Sequence, residues 1–271
     1  MPLTLTSLGC ASALPTRDNY FTAHVLNIRG RLFLLDCGEG TQLRLRQLGI
    51  SMASIEHIFI THLHGDHVFG LPGMLSTMHL LNRKSPLYIH APAGLEKMIA
   101  FYFDFLGERE PSFPVIHVKV EADGLAPVLD TDTTDVYAFP LNHSVPAYGY
   151  LFREKPVRKS YPRSVAYCTD TAPRTEIPSW IKGVDLLFHE ATFLEHDAEA
   201  AAKYLHSTAR QAAQTALDAG AGQLLLGHFS SRYKETPAFL AEAREIFPNT
   251  ELSTEGRTFT VPRRFILKEA E

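Results

Sequence analysis

Residues 61–67 read Thr-His-Leu-His-Gly-Asp-His, three histidines and an aspartate in seven positions directly after the apolar run His57-Ile58-Phe59-Ile60. A chain that crowds four potential metal donors behind a strand must fold so that the strand ends at an open edge, where those side chains can converge. In extended backbone, residues two apart share a face, so His62 and His64 can point at one position. Gly65 then permits a sharp turn that sends Asp66 and His67 toward a second position close by. Two cations about 3.5–4 Å apart can share one water and lower its pKa toward neutrality. The seven residues therefore read as two half-sites.

Two half-sites need more donors, each near a strand end where a loop opens. The chain offers His143 after the apolar run of residues 136–139, Asp170 after residues 164–168 and His228 after residues 223–226. One such residue alone is usually structural, whereas the same placement three times points to one shared centre. Strand-like runs come in hairpin-like clusters and also alternate with helical patterns such as residues 40–48, 70–81, 94–106, 208–219 and 236–247. That mixture favours a layered α/β or α+β architecture with mixed sheets over a purely parallel one. No composition break divides residues 1–271, so a single domain is expected.

The chain is long enough, at 271 residues with 45% hydrophobic composition, to bury a full core. A net charge of −4 argues against holding nucleic acid by bulk electrostatics and leaves room for a local basic patch. One such stretch exists at 153–163, with Arg153, Lys155, Arg158, Lys159 and Arg163 around a single Glu154 and with Pro156 and Pro162. It reads either as a solvated surface loop or as a polyanion-binding loop. Cys10, Cys37 and Cys168 are widely spaced, which fits small buried residues in a reducing compartment better than a disulfide framework. Leu8-Gly9-Cys10 and Ala11-Ser12-Ala13 have the look of cleavage boxes, but no Lys or Arg precedes them and residues 3–8 alternate like a strand. A cytoplasmic protein is expected, and no run approaches the roughly 20 apolar residues needed to span a bilayer.

The pattern His-x-His-x-Asp-His with later His, Asp and His resembles the metallo-β-lactamase superfamily, and within it the ribonuclease Z branch of tRNA 3′-processing endonucleases. The blocks LLDCGEGTQ (34–42), THLHGDHVFGLPG (61–73), NHSVPAYGY (142–150), CTDT (168–171), HEATF (189–193) and HSTA (206–209) follow that family's order over nearly the whole chain. The last two narrow the likeness to the tRNA-processing branch and its close phosphodiesterase relatives.

The resemblance implies an αβ/βα sandwich of two facing mixed sheets with outer helices, and a dinuclear zinc centre at one sheet edge. His62, His64 and His143 would hold one zinc and Asp66, His67 and His228 the other, with Asp170 bridging. Manganese or iron fits the same nitrogen and oxygen donors. Asp66 would orient the attacking water and accept its proton, and His206, oriented by Glu190, would protonate the leaving ribose oxygen. Ser207 or Thr208 should cap the following helix, whose free N–H groups suit a phosphate oxygen. The other histidines, at 24, 57, 79, 90, 117, 189 and 196, receive no role.

Relatives of the tRNA-processing type carry a long arm between the strands matching residues 148–152 and 164–170; here only the short basic stretch fills that gap. Lys155, Arg158 and Lys159 would then contact tRNA phosphates in the arm's place. The stretch Pro15–Asn19 is one residue shorter than the related block, which should alter only a loop. The expected activity is a zinc-dependent endoribonuclease that trims 3′ trailers from precursor tRNA, working as a homodimer. The alternatives are a phosphodiesterase for small or cyclic phosphodiesters or short RNA, and a catalytically silent, metal-stabilised RNA-binding module.

Overall fold

Continuous apolar runs in the central strands decide the architecture, because those strands bury both of their faces. The computed structural model describes residues 1–14, 16–17, 19–107 and 111–265. Pro15 and Asp18 of the shortened N-terminal block lie outside the described residues. The first sheet is formed by β1 (Leu3–Gly9), β2 (Ala23–Ile28), β3 (Arg31–Leu35), β4 (Ile55–Phe59), β5 (Leu87–Ala91) and β6 (Val115–Lys119). The second holds β7 (Ala126–Asp130), β8 (Thr134–Pro140), β9 (Tyr148–Glu154), β10 (Ser164–Cys168), β11 (Leu186–Glu190), β12 (Leu224–Gly227) and β13 (Thr250–Leu252). β14 (Thr258–Thr260) returns to pair with β1, which makes seven strands in each sheet. Antiparallel pairs form one half of each sheet, and β3 through β6 and β10 through β13 run parallel.

On β10, Val165 and Tyr167 face the other sheet while Ala166 and Cys168 face the helices; Leu225 of β12 divides in the same way from Leu224 and Leu226. Strands buried on both faces read as continuous apolar runs, as these do. Between the sheets, Phe33 and Phe59 meet the Phe152 ring at centroid distances of 5.5 and 5.1 Å. Each such side chain contributes about 1.5–3 kcal/mol by leaving water.

Outside the first sheet lie α1 (Thr41–Gln47), α2 (Gly65–Val68), α3 (Gly70–Leu80) and α4 (Leu95–Phe105); outside the second lie α5 (Ile177–Trp180), α6 (Ala198–Tyr204), α7 (Ala209–Ala219) and α8 (Pro237–Arg244). The expected four-layer α/β sandwich is the observed one. α7 shows why this sequence makes a helix there. Ala209, Ala212, Ala213, Ala216 and Ala219 recur at helical spacing on its buried face, a capping box between Thr208 and Gln211 starts it, and Gly220 at φ 62° ends it. A leucine at Ala213 would overfill the contact with the sheet.

Candidate active site

Every sequence-selected metal donor stands beyond the C-terminal end of a strand, along one edge where the two sheets meet. Past β4 the chain stays extended, because the Thr61 N–H and hydroxyl both donate to the Asp36 carboxylate, at 2.8 and 3.0 Å. Tyr150 from the second sheet donates its hydroxyl to the Ile60 carbonyl at 2.7 Å and fixes the sheets relative to one another there. His62 and His64 then share a face, and α2 turns Asp66 and His67 inward.

The donors form two sets. His62 Nε2 lies 3.1 Å from His64 Nδ1, which lies 3.2 Å from His143 Nε2. Asp170 Oδ2 completes this set at 3.5 Å from His62 Nε2 and 3.8 Å from His143 Nε2. In the other set, His67 Nε2 lies 3.5 Å from Asp66 Oδ2 and 3.3 Å from Asp170 Oδ1, and His228 Nε2 lies 3.7 and 3.1 Å from the same two oxygens. Donors around a tetrahedral ion at about 2.0–2.1 Å stand roughly 3.3–3.4 Å apart, so both sets have the right size. Asp170 offers one oxygen to each.

Tautomers agree with that reading. His67 Nδ1 donates to Asp36 Oδ2 at 3.0 Å and His143 Nδ1 to the Leu205 carbonyl at 3.1 Å. His62 Nδ1 faces the Thr61 hydroxyl at 3.1 Å, whose hydrogen is already given to Asp36. Each of these rings therefore turns an Nε2 lone pair inward, as metal-ligating histidines do. His67 Nε2 and His228 Nε2 are buried without a hydrogen-bond partner, and a buried polar atom left unpaired is costly. A bound cation removes that cost.

The charge balance points the same way. Burial lowers His62 well below its ordinary value, reinforced by the nearby His67. Burial also works against protonated His67, yet Asp170 and Asp36 outweigh it and hold that ring well above its usual range. Asp170 and Asp66 are held low against their own burial by the imidazoles of His228 and His67 beside them. The cage demands positive charge, and a cation would supply it in place of protons. The backbone is unusual here too, since Asp36, Asp170 and His228 have φ of 55°, 42° and 60°, a left-handed conformation that non-glycine residues adopt mainly where surrounding structure enforces it.

Beside the cage, His206 Nδ1 lies 2.8 Å from Glu190 Oε1. The carboxylate also accepts the Thr171 and Thr192 N–H groups at 2.9 Å each. Burial opposes the charged ring, but Glu190, followed by Asp170 and Asp66, raises His206 to about 9. A cleft of about 370 Å³ is lined by His64, Asp66, His143, Asp170, His206 and His228, and the buried His62, His67 and Glu190 stand directly behind these residues.

Five other candidates do not reach that cleft. The Ser207 hydroxyl is buried and donates to the Thr171 carbonyl at 2.6 Å, and Thr208 is consumed in its capping box and in a 2.6 Å bond to Glu195. Thr208 thus caps α7 as expected, and both hydroxyls are taken up by protein acceptors. Lys155, Arg158 and Lys159 lie past the far end of β9, separated from Asp170 by the length of β10, about 17 Å at a strand rise of ~3.3 Å per residue. Lys155 pairs with Asp130 and Asp135, and Arg158 and Lys159 are exposed. Arg163 is no surface cation at all; its guanidinium is buried against Glu154 at 2.9 Å.

Residues that sequence reasoning missed complete the site. Asp36 anchors Thr61, His67 and Tyr167; it sits in the block LLDCGEGTQ, which gave it no role of its own. The Ala13 N–H binds Asp66 Oδ2 at 2.9 Å, bringing the N-terminal loop over the cage. Arg232 lies over the Phe193 ring at 4.7 Å and lines the cleft with Ser12, Ser144 and Ser230. Nothing in its local sequence set it apart from other surface arginines.

Comparison with known proteins agrees with this geometry. A family model described as "Beta-lactamase superfamily domain" matches residues 31–229. A ribonuclease Z from Bacteroides fragilis is 39% identical over 92% of this chain and 96% of its own length. A ribonuclease Z from Cytophaga hutchinsonii is 40% identical over 97% and 98%. The crystal structure of human tRNase Z, short form, superposes with a TM-score of 0.83 at 30% identity, covering 96% of this chain and all of that one. With its paired donor sets, its Glu190–His206 pair and these relatives, the chain belongs to the ribonuclease Z family of the β-lactamase superfamily.

Proposed function

We propose that this protein is a zinc-dependent endoribonuclease that removes 3′ trailers from precursor tRNA. One observation carries the reading: Asp170 presents one oxygen to each of two donor sets, and the same cleft holds His206, backed by the buried Glu190. His62, His64, His143 and Asp170 would hold one ion, and Asp66, His67, His228 and Asp170 the other. When bound, the pair supplies an activated water and neutralises charge on the phosphate. Zinc suits these donors, and manganese or iron is accommodated by the same set.

The chain's own residues perform the rest. Asp66, held ionised and fixed by the Ala13 N–H, orients the water and takes its proton. His206 has Nδ1 committed to Glu190, which leaves Nε2 to protonate the departing ribose 3′-oxygen, so that the tRNA ends in a 3′-hydroxyl. Arg232 adds a cation at the cleft wall suited to a non-bridging phosphate oxygen. A homodimer would find an apolar seam where Phe101 and Phe105, 72% and 75% exposed, stack beside α3; the Ser76–Tyr102 hydrogen bond joins the two helices there. Among the described residues no helix is long and apolar enough to cross a membrane, and a cytoplasmic site of action fits an RNA substrate.

The short, distant basic loop favours one alternative, a phosphodiesterase acting on small or cyclic phosphodiesters or short RNA. Zinc-loaded protein and Asp66→Ala, each given a 3′-extended tRNA and a small chromogenic phosphodiester, test both readings. Trimming of the tRNA by the parent and not by the variant is expected. Hydrolysis of the small ester alone would replace the first reading by the second.

A further inference from the structure

We propose that the Thr192 hydroxyl is a positioning group that joins the His228 metal ligand to the Glu190–His206 proton-donating pair, fixing the tautomer of one and the orientation of the other. Thr192 follows Glu190 by two residues, just past β11, and is buried. Its N–H and its hydroxyl both donate to Glu190 Oε2, at 2.9 and 2.6 Å. A hydroxyl has one hydrogen, so with that hydrogen on Glu190 its oxygen can only accept from other neighbours. His228 Nδ1 lies 2.9 Å away and His206 Nδ1 3.3 Å, but the latter already has Glu190 Oε1 at 2.8 Å. His228 is therefore the donor to Thr192, and its hydrogen resides on Nδ1.

The consequence falls on the opposite side of the ring. With Nδ1 protonated, Nε2 keeps its lone pair toward Asp66 and Asp170, the arrangement a cation needs. Without the threonine oxygen nothing holds that choice. His228 can then move its hydrogen to Nε2 and donate to Asp170 Oδ1, only 3.1 Å away, closing the position a metal would take. The same loss removes one of the donors that aim Glu190 at His206. One hydroxyl thus ties ion capture to leaving-group protonation.

This inference rests on the metal-dependent reading above, and its test separates the two. Thr192→Val keeps the side-chain shape and deletes the oxygen, whereas Thr192→Ser keeps the oxygen. Zinc affinity, measured by competition with a chromophoric chelator, should fall about 10–100-fold at one of two sites in the valine variant, the range typical for losing an outer-shell partner. At saturating zinc, kcat on 3′-extended tRNA should fall while KM stays near the parent value, and the serine variant should restore both. A valine variant that binds both ions as tightly as the parent would overturn the proposal. Nitrogen-15 shifts of His228 in metal-free parent protein give a second readout that needs no variant to fold: the Nδ1–H tautomer is expected, and the Nε2–H tautomer overturns it. A parent protein that binds no zinc and leaves the tRNA intact would refute the metal-dependent reading, and the His228 tautomer would still decide this one.

Discussion

Asp36 and His67 lie 3.0 Å apart, Oδ2 to Nδ1, with both side chains sealed from solvent. Asp36 touches no substrate-facing surface, yet it sets which nitrogen of His67 faces the cage and keeps the residues after β4 extended through Thr61. Asp36→Ala leaves the Thr61 N–H and hydroxyl, the Tyr167 hydroxyl and the His67 Nδ1–H without their acceptor. At about 1–3 kcal/mol for each unpaired buried donor, and with partial relaxation, the expected loss is about 3–5 kcal/mol. Urea unfolding of the metal-free protein measures it, and a loss below about 1 kcal/mol would show that the anchor is dispensable.

The two proposed ion positions should not be equally vulnerable. Asp170 serves both sets, whereas His143 serves one. Elemental analysis should find two zinc ions per parent chain, one in His143→Ala and close to none in Asp170→Ala. Equal retention in the two variants would contradict a shared carboxylate.

Stability of the metal-free protein should depend on His206 in a defined pH window. Its folded value is raised from an ordinary 6.5 to about 9, so the folded state binds the proton more tightly than the unfolded state. The resulting stabilisation is complete below about 6.5 and is lost as pH rises through about 9. With the side chain 15% exposed, the effect is on the order of 2–3 kcal/mol. His206→Gln should remove that dependence from urea midpoints taken between pH 6 and 9.5. An unchanged slope in the variant would assign the effect elsewhere.

Arg158 and Lys159 are far from the cleft and exposed, so they can act only on a substrate long enough to reach them. Reversing both charges should raise KM for 3′-extended tRNA and flatten its salt dependence, since each lost phosphate contact reduces the slope by about one. Turnover of the small chromogenic ester should not change. Equal effects on both substrates would remove the loop from substrate binding.

Arg163 belongs to the same basic stretch and should behave differently. Its guanidinium donates to Glu154 at 2.9 and 3.0 Å and to the Val261 carbonyl at 2.9 Å, all buried. Arg163→Met leaves Glu154 with Arg263 as its remaining cation, so a loss of about 3 kcal/mol is expected, with KM for tRNA unaltered. A tRNA-binding defect in a fully stable variant would reverse this assignment.

The layered fold and the cage were legible in the sequence because each depends on local regularities. Period two in runs such as Ser164–Cys168 sets which residues face which layer, and donors just past strand ends have few places to go. The edge strand β7 carries no clear pattern because Pro127 and partial exposure interrupt it, as is usual at edges. β13, three residues long, carries no pattern at all. The family blocks predicted that Glu190 and His206, sixteen residues apart, would meet, and the structure supplied the distance.

Roles that depend on three-dimensional neighbours were not legible. Arg163 and Arg158 look alike in sequence, and only the docking of the C-terminal segment at Val261 makes one structural and leaves the other free. Ser207 and Thr208 present hydroxyls beside a helix start, but their partners at Thr171 and Glu195 come from other loops. Asp36 and Thr192 each gain their meaning from a histidine more than thirty residues away.

The left-handed backbone at Asp36, Asp170 and His228 has one more consequence. Most side chains resist that conformation, so the surrounding packing and hydrogen bonds must hold it at these three strand ends. Ion exchange should then resemble the filling of a rigid mould, with little rearrangement of the main chain. A cation that fits these donors poorly would meet resistance from both sheets at once.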